Sequence, residues 1–177
     1  MIILLINVCK EKLHFFEFVK PIKEILSGKE VVIKHYSKIQ EDDLRRADKI
    51  IICGTSLKDN QFTEEINKFE WIKNYKKPIL GICAGMQIIS LVYGAKIKKE
   101  TEIGFYEENF THEFLGMSSK KEVYYLHNNY TTLPIDFESF TKGEIPQAIK
   151  HKTREIYGVL FHPEVRNENV IETFAKI

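Results

Sequence analysis

Four short apolar runs, "IILLINV" at 2–8, "VVIKHY" at 31–36, "KIIICG" at 49–54 and "ILGIC" at 79–83, alternate with longer segments of helical spacing. That alternation constrains the fold more than any other feature of the chain. Strands rich in Ile, Val and Leu without polar interruption are strands buried on both faces, and such strands pair in parallel through helical crossovers. The expected class is therefore α/β: a mostly parallel sheet with helices on both faces. At 177 residues the chain is long enough to bury a sizeable core and reads as a single domain, 1–177.

The intervening segments fit that plan. "LHFFEFVKPIKEILS" at 13–27 has apolar residues at helical spacing and ends at Gly28, a favourable C-terminal cap, although Pro21 must kink or split it. A short helix is expected from Glu41, a loop at "TSLKDNQ", a helix over 63–75 stopped by Pro78, and a helix over 84–93 closing at Gly94. Beyond Lys96 the runs become shorter and richer in aromatic and β-branched residues. "EVYYLHNN" and "IYGVLFHPE" therefore read as antiparallel additions to the sheet edge, followed by a last helix over 167–176.

Twenty-six basic side chains balance twenty-five acidic ones, so charge does not favour a nucleic-acid or membrane surface. The apolar N-terminus lacks a preceding basic region and is too short to span a bilayer, and a first strand is the better reading. Three cysteines without paired spacing, Cys9, Cys53 and Cys83, argue against a disulfide framework or a zinc site and for a reducing, cytoplasmic setting.

Cys83 differs from the other two. In "PILGICAGMQ" it stands where strand gives way to helix, with Gly81 and Gly85 on either side. Such a turn pushes its central side chain out above the sheet, supplies unpaired N–H groups and positive dipole from the helix behind, and lets substrate approach over small neighbours. A thiol at a helix N-terminus can drop from about 8.5 to roughly 3.5–7.5, populating the thiolate at neutral pH. Cys9 and Cys53, within apolar strands, read as small core hydrophobes. The thiolate also needs a base. "YGVLFHPEV" offers His162 at the end of an apolar run, with Glu164 two positions on to orient the second ring nitrogen.

"GICAGMQ" at 81–87 together with "FHPE" at 161–164 resembles the class I (triad) glutamine amidotransferase family, over nearly the whole chain. The resemblance implies a flavodoxin-like sheet with antiparallel edge strands. It implies a glutaminase in which Cys83 is the nucleophile, His162 the general base and acid, and Glu164 the residue that orients it. Gln87 and Gly81 would belong to the glutamine pocket and the N–H of Ala84 to the oxyanion hole. Within the family, "YGVLFHPEV" is most similar to the branch of free-standing glutaminase subunits of archaeal GMP synthase. No cofactor or metal is implied. The implied partners are glutamine and a separate ATP-dependent synthetase subunit, since nothing in the sequence supplies a nucleotide-binding loop of its own.

Two segments depart from the family. Where it usually carries Gly-Gly after the third strand, this chain has Gly54 followed by Thr55, so the second oxyanion donor is either a threonine peptide with restrained rotation or Gly54 itself. "YYLHNNYTTLP" resembles the family segment Ser-His-x-Asp, matching His127 and Asn129 to positions that hold glutamine or contact a partner; the other reading of both is a surface loop. Two further classes stay open on the residues alone, namely a related cysteine hydrolase or peptidase acting without a partner, and a catalytically silent binding module.

Overall fold

Every residue of the third and fourth strands is buried, as expected of parallel strands covered on both sides. The computed structural model describes residues 1–177. Its strands are β1 (Ile2–Asn7), β2 (Glu30–His35), β3 (Lys49–Ile52), β4 (Ile79–Ile82), β5 (Ile97–Phe114), β6 (Met117–Thr131), β7 (Phe137–Ser139), β8 (Ala148–His151) and β9 (Ile156–Val159). Seven of them form one sheet in the order β2-β1-β3-β4-β9-β8-β7. The first five in that order are parallel, the flavodoxin-like arrangement, and β8 and β7 extend the edge antiparallel. No helix is long and apolar enough to cross a membrane.

Period-two alternation divides the core into two layers. Ile3, Leu5, Ile51 and Leu80 face α1 (Phe15–Phe18), α2 (Lys20–Ile25) and α6 (Asn169–Lys176), packing with Phe18, Val19, Ile22 and Phe174. Leu4, Ile6, Ile50 and Ile79 face the opposite way, onto Ile88 and Ile89 of α5 (Ala84–Val92) and onto Phe69 and Ile72. The short helices α3 (Glu41–Arg46) and α4 (Gln61–Glu64) complete the crossovers. Buried Lys49 at the start of β3 ties the C-terminus down: its Nζ donates to the carbonyls of Phe174, Ala175 and Ile177, which the end of α6 leaves unpaired.

The segment 13–27 is split, as Pro21 requires, into a 3₁₀ turn at Lys12–His14, α1 and α2, and Pro21 lies in the first turn of α2, where its missing N–H is no loss. Three expectations are corrected. The helix expected over 63–75 is α4 followed by a 3₁₀ helix, Ile66–Lys73, in which a three-residue turn aligns Ile66, Phe69 and Ile72 on one face. "EVYYLHNN" does not extend the sheet edge but belongs to β6, which pairs with β5 as a separate long antiparallel hairpin. "IYGVLFHPE" contributes β9, which lies inside the sheet and runs parallel to β4.

Candidate active site

The position of β9 brings the two chemical motifs together. Ile82 pairs with Val159, so β4 and β9 end side by side, and the N–H of Cys83 donates to the Val159 carbonyl at 2.7 Å. Cys83 therefore leaves β4 at the sheet's carboxyl edge next to the segment that carries His162 and Glu164. Its backbone has φ 49° and ψ −104°, a conformation sparsely populated by any residue but glycine. Neighbouring glycines make room for this turn. A Cβ on Gly81 would lie 2.5 Å from the Gly85 carbonyl, and one on Gly85 would lie 2.1 Å from the Ile52 carbonyl, so α5 packs backbone to backbone on β3 and β4.

His162 and Glu164 are almost fully buried, and Nδ1 of the imidazole lies 2.8 Å from Oε1 of the carboxylate. Nε2 has no hydrogen-bond partner in the protein. Gly54, just past β3, closes the gap between histidine and cysteine: a methyl group built there would sit 2.8 Å from Cε1 of His162 and 3.5 Å from Cβ of Cys83. Burial opposes a charge on His162, yet the Glu164 carboxylate and the Cys83 sulfur outweigh it and hold its pKa well above the ordinary value. The ring of Phe18 tilts against the imidazole, with centroids 5.5 Å apart, and restricts its rotation.

The hairpin supplies the opposite wall. Three carbonyls of β6 accept from the site: Tyr124 from the His162 N–H at 2.8 Å, Leu126 from the Cys83 thiol at 3.7 Å, and Asn129 from Nε2 of Gln87 at 2.9 Å. Cys83, Ala84, Gln87, Thr55, His127 and Asn129 share one small cavity of about 20 Å³, room for about one water molecule. Gly81 lies beneath it, among the backbone contacts of α5, and does not line it. His127 is a buried residue of β6 rather than part of a surface loop; its Nε2 lies 3.1 Å from Oε2 of Glu102, which also accepts from Nε2 of Gln147 at 2.7 Å. Burial lowers the His127 pKa, with Glu102 opposing. No group of three or more His, Cys, Asp or Glu side chains is placed to hold a metal ion.

Sequence reasoning missed Asn128 and Asp59. A bulge in β5 between Lys99 and Glu102 lies opposite Asn128, and Thr101 donates to its Oδ1 at 3.1 Å. Nδ2 of Asn128 then donates to the Leu57 carbonyl at 3.3 Å, joining the hairpin to the loop that follows β3. Asp59, buried in that loop, accepts from the Thr55 hydroxyl at 2.8 Å and from the Lys10 N–H at 2.6 Å. The Asn128–Leu57 and Asp59–Lys10 contacts have no signature in the local sequence, because each joins segments that only the fold brings together.

An elbow cysteine beside a buried histidine–glutamate pair, on this strand order, is an arrangement suited to nucleophilic cysteine chemistry. The profile of the class-I glutamine amidotransferases matches residues 21–173, and the chain belongs to that family. It is 32% identical to a glutamine-hydrolysing GMP synthase subunit from Methanobrevibacter smithii over 123 residues, which cover 63% of this chain and 65% of that one. The same subunit from Pyrococcus abyssi is 33% identical over 136 residues, 70% of this chain and 71% of the relative. A crystal structure described as a GMP synthase subunit from Thermoplasma acidophilum superposes with a TM-score of 0.85 at 25% identity, covering 99% of this chain and 92% of that one. The match thus spans slightly less than two thirds of the M. smithii relative's length.

Proposed function

We propose that this chain hydrolyses glutamine to glutamate and ammonia and delivers the ammonia to a separate ATP-dependent synthetase, the acceptor reaction being that of GMP synthase. The observation that carries the reading is the buried His162–Glu164 pair at 2.8 Å beside a cysteine held at φ 49° in the strand-to-helix turn. The family and the names of the relatives supply the substrate, the partner and the acceptor.

In this reading the Cys83 sulfur attacks the side-chain carbonyl carbon of glutamine, and the carbonyl electron pair moves onto oxygen. The N–H of Ala84, first residue of α5 and without an intrahelical acceptor, stabilises that oxyanion together with an N–H of the Gly54–Thr55 segment. Collapse breaks the C–N bond, His162 protonates the departing nitrogen, and a γ-glutamyl thioester remains. His162 then takes a proton from water, whose oxygen attacks the thioester; glutamate leaves and the thiol is restored. Glu164 keeps the imidazole in the tautomer that presents Nε2 to sulfur and substrate. Gln87 forms one wall of the glutamine pocket, with His127 and Asn129 opposite. The whole span 1–177 serves this one reaction. Three free thiols fit a reducing compartment, and the proposed location is the cytoplasm.

The test is glutamate release by the chain alone and together with the synthetase half of a GMP synthase, beside Cys83→Ala. Release that the synthetase accelerates and that Cys83→Ala abolishes is the expected result. Peptide cleavage without glutamine turnover, or undiminished turnover by Cys83→Ala, would overturn the reading.

A further inference from the structure

Gly54 and Thr55 stand where the family usually has two glycines, and they are held at the Gly54 carbonyl and at the Thr55 hydroxyl. The Cys9 thiol, two residues past β1, donates to the Gly54 carbonyl at 3.7 Å. In the sheet, β3 lies between β1 and β4, so Cys9 and Cys83 flank the end of β3 from opposite sides. The chain contains no cis peptide bond, and in a trans peptide the carbonyl oxygen and the following N–H point in opposite directions. With its carbonyl toward Cys9, the Gly54–Thr55 peptide therefore turns the Thr55 N–H toward β4 and Cys83. That N–H donates to no acceptor in the protein, and Thr55 lines the cavity that Cys83 opens into. The Thr55 hydroxyl is held in turn by Asp59, which is itself anchored to the Lys10 N–H.

We infer that Cys9 and Asp59 are positioning residues that hold the Thr55 N–H toward the oxyanion in the resting enzyme, replacing the freely rotating Gly-Gly peptide with one held at the Gly54 carbonyl and the Thr55 hydroxyl. The inference rests on the proposed glutaminase reaction. Each contact fits the task. Burial pushes the Cys9 thiol up to about 11, so it keeps its proton, and with it the ability to donate, across the physiological range. Thr55 cannot turn its peptide as readily as glycine, and its β-branched side chain is locked through one short hydrogen bond. Donors aimed before the reaction begins need no reorganisation as charge develops, which is where such groups act most strongly. Cys9 thus has a use in the reaction without touching substrate.

Steady-state kinetics on Cys9→Ala, Cys9→Ser, Asp59→Asn and the control Cys53→Ala provide the test, with affinity for a glutamine-derived aldehyde as a second measurement. The aldehyde forms a tetrahedral adduct on Cys83 and needs the oxyanion donors, whereas KM reports the ground state. Cys9→Ala and Asp59→Asn should lower kcat and aldehyde affinity together by about tenfold or more with KM nearly unchanged. Cys9→Ser, which keeps a donor, should recover most of both; Cys53→Ala, an equal thiol loss in the same core layer, should change neither. Wild-type kcat in Cys9→Ala, or equal losses in the serine and alanine variants, would overturn the assignment while leaving the glutaminase reading intact. If the wild type released no glutamate, that reading would fail, and the peptide would still be tested by NMR. Relaxation dispersion at the Thr55 amide should be quiet in the wild type and broadened in Cys9→Ala, and identical profiles would refute the inference.

Discussion

Nδ1 of His162 lies 2.8 Å from Oε1 of Glu164, and both side chains are almost wholly removed from solvent. Only Pro163 separates the two residues in sequence, yet the pair lies beside a cysteine seventy-nine positions away in the chain, and does so because β4 and β9 are neighbours.

Glu164→Gln should bring the pKa of His162 down, because burial then acts against a charge with less to oppose it. The folded-state pKa in the wild type lies above the ordinary imidazole value of about 6.5. The charged imidazole therefore adds stability that is fully present below that value and fades as pH rises through the folded pKa. An NMR titration of His162 in the variant should show the downward shift. The excess stability of wild type over variant should shrink toward alkaline pH, and glutaminase kcat should fall by about 10²–10⁴-fold. An unmoved titration would refute the electrostatic account.

The turn at Cys83 stores strain. Cys83→Gly should be more stable than Cys83→Ala by about 1 kcal/mol or more, since only glycine adopts φ 49° and ψ −104° without penalty. Gly85→Ala should lower the denaturation midpoint by the equivalent of about 1–3 kcal/mol or prevent folding, because the added Cβ meets the Ile52 backbone at 2.1 Å and no side chain can yield there. Chemical denaturation of the three variants distinguishes these outcomes; equal midpoints for Cys83→Gly and Cys83→Ala would show that the turn is relaxed.

Cys9 is 3% exposed and Cys83 4%, so accessibility does not separate them. Chemistry does. Burial raises the Cys9 thiol to about 11 and the Cys53 thiol well above its ordinary value, leaving both protonated and weakly nucleophilic at neutral pH. A glutamine-like electrophile followed by peptide mass mapping should find Cys83 modified first and almost alone. Equal labelling of all three would count against an activated nucleophile.

The cavity of about 20 Å³ admits glutamine only if its walls part, and the Asn128–Leu57 hydrogen bond joins them. Asn128→Ala removes one neutral hydrogen bond of about 0.5–1.5 kcal/mol, so the second-order rate of Cys83 labelling should rise by about twofold to tenfold. Labelling slower than in wild type would show that Asn128 shapes the pocket rather than restraining it.

Much of this is legible in the residues. The apolar runs at 2–8, 49–54 and 79–83 dictate buried strands, hence parallel pairing with helices on either side, while "VVIKHY", with Lys34 and His35, becomes the half-exposed edge strand β2, and a cysteine between Gly81 and Gly85 dictates a tight strand-to-helix turn. Local physics decides such features, because each concerns neighbours along the chain or a period within one element. The 3₁₀ helix at Ile66–Lys73 is not legible, because the three-residue recurrence of Ile66, Phe69 and Ile72 fits ordinary helical spacing as well.

Other features are properties of the packing alone. That "IYGVLFHPE" runs parallel inside the sheet, that residues 97–131 form a separate hairpin whose carbonyls face Cys83, His162 and Gln87, and that Asp59 reaches Lys10 depend on which strands become neighbours. Strand order and hairpin register are set by the summed burial of side chains distant in the chain. A motif of seven residues determines what its cysteine is able to do; only the assembled sheet determines which imidazole, which carbonyls and which N–H groups surround it.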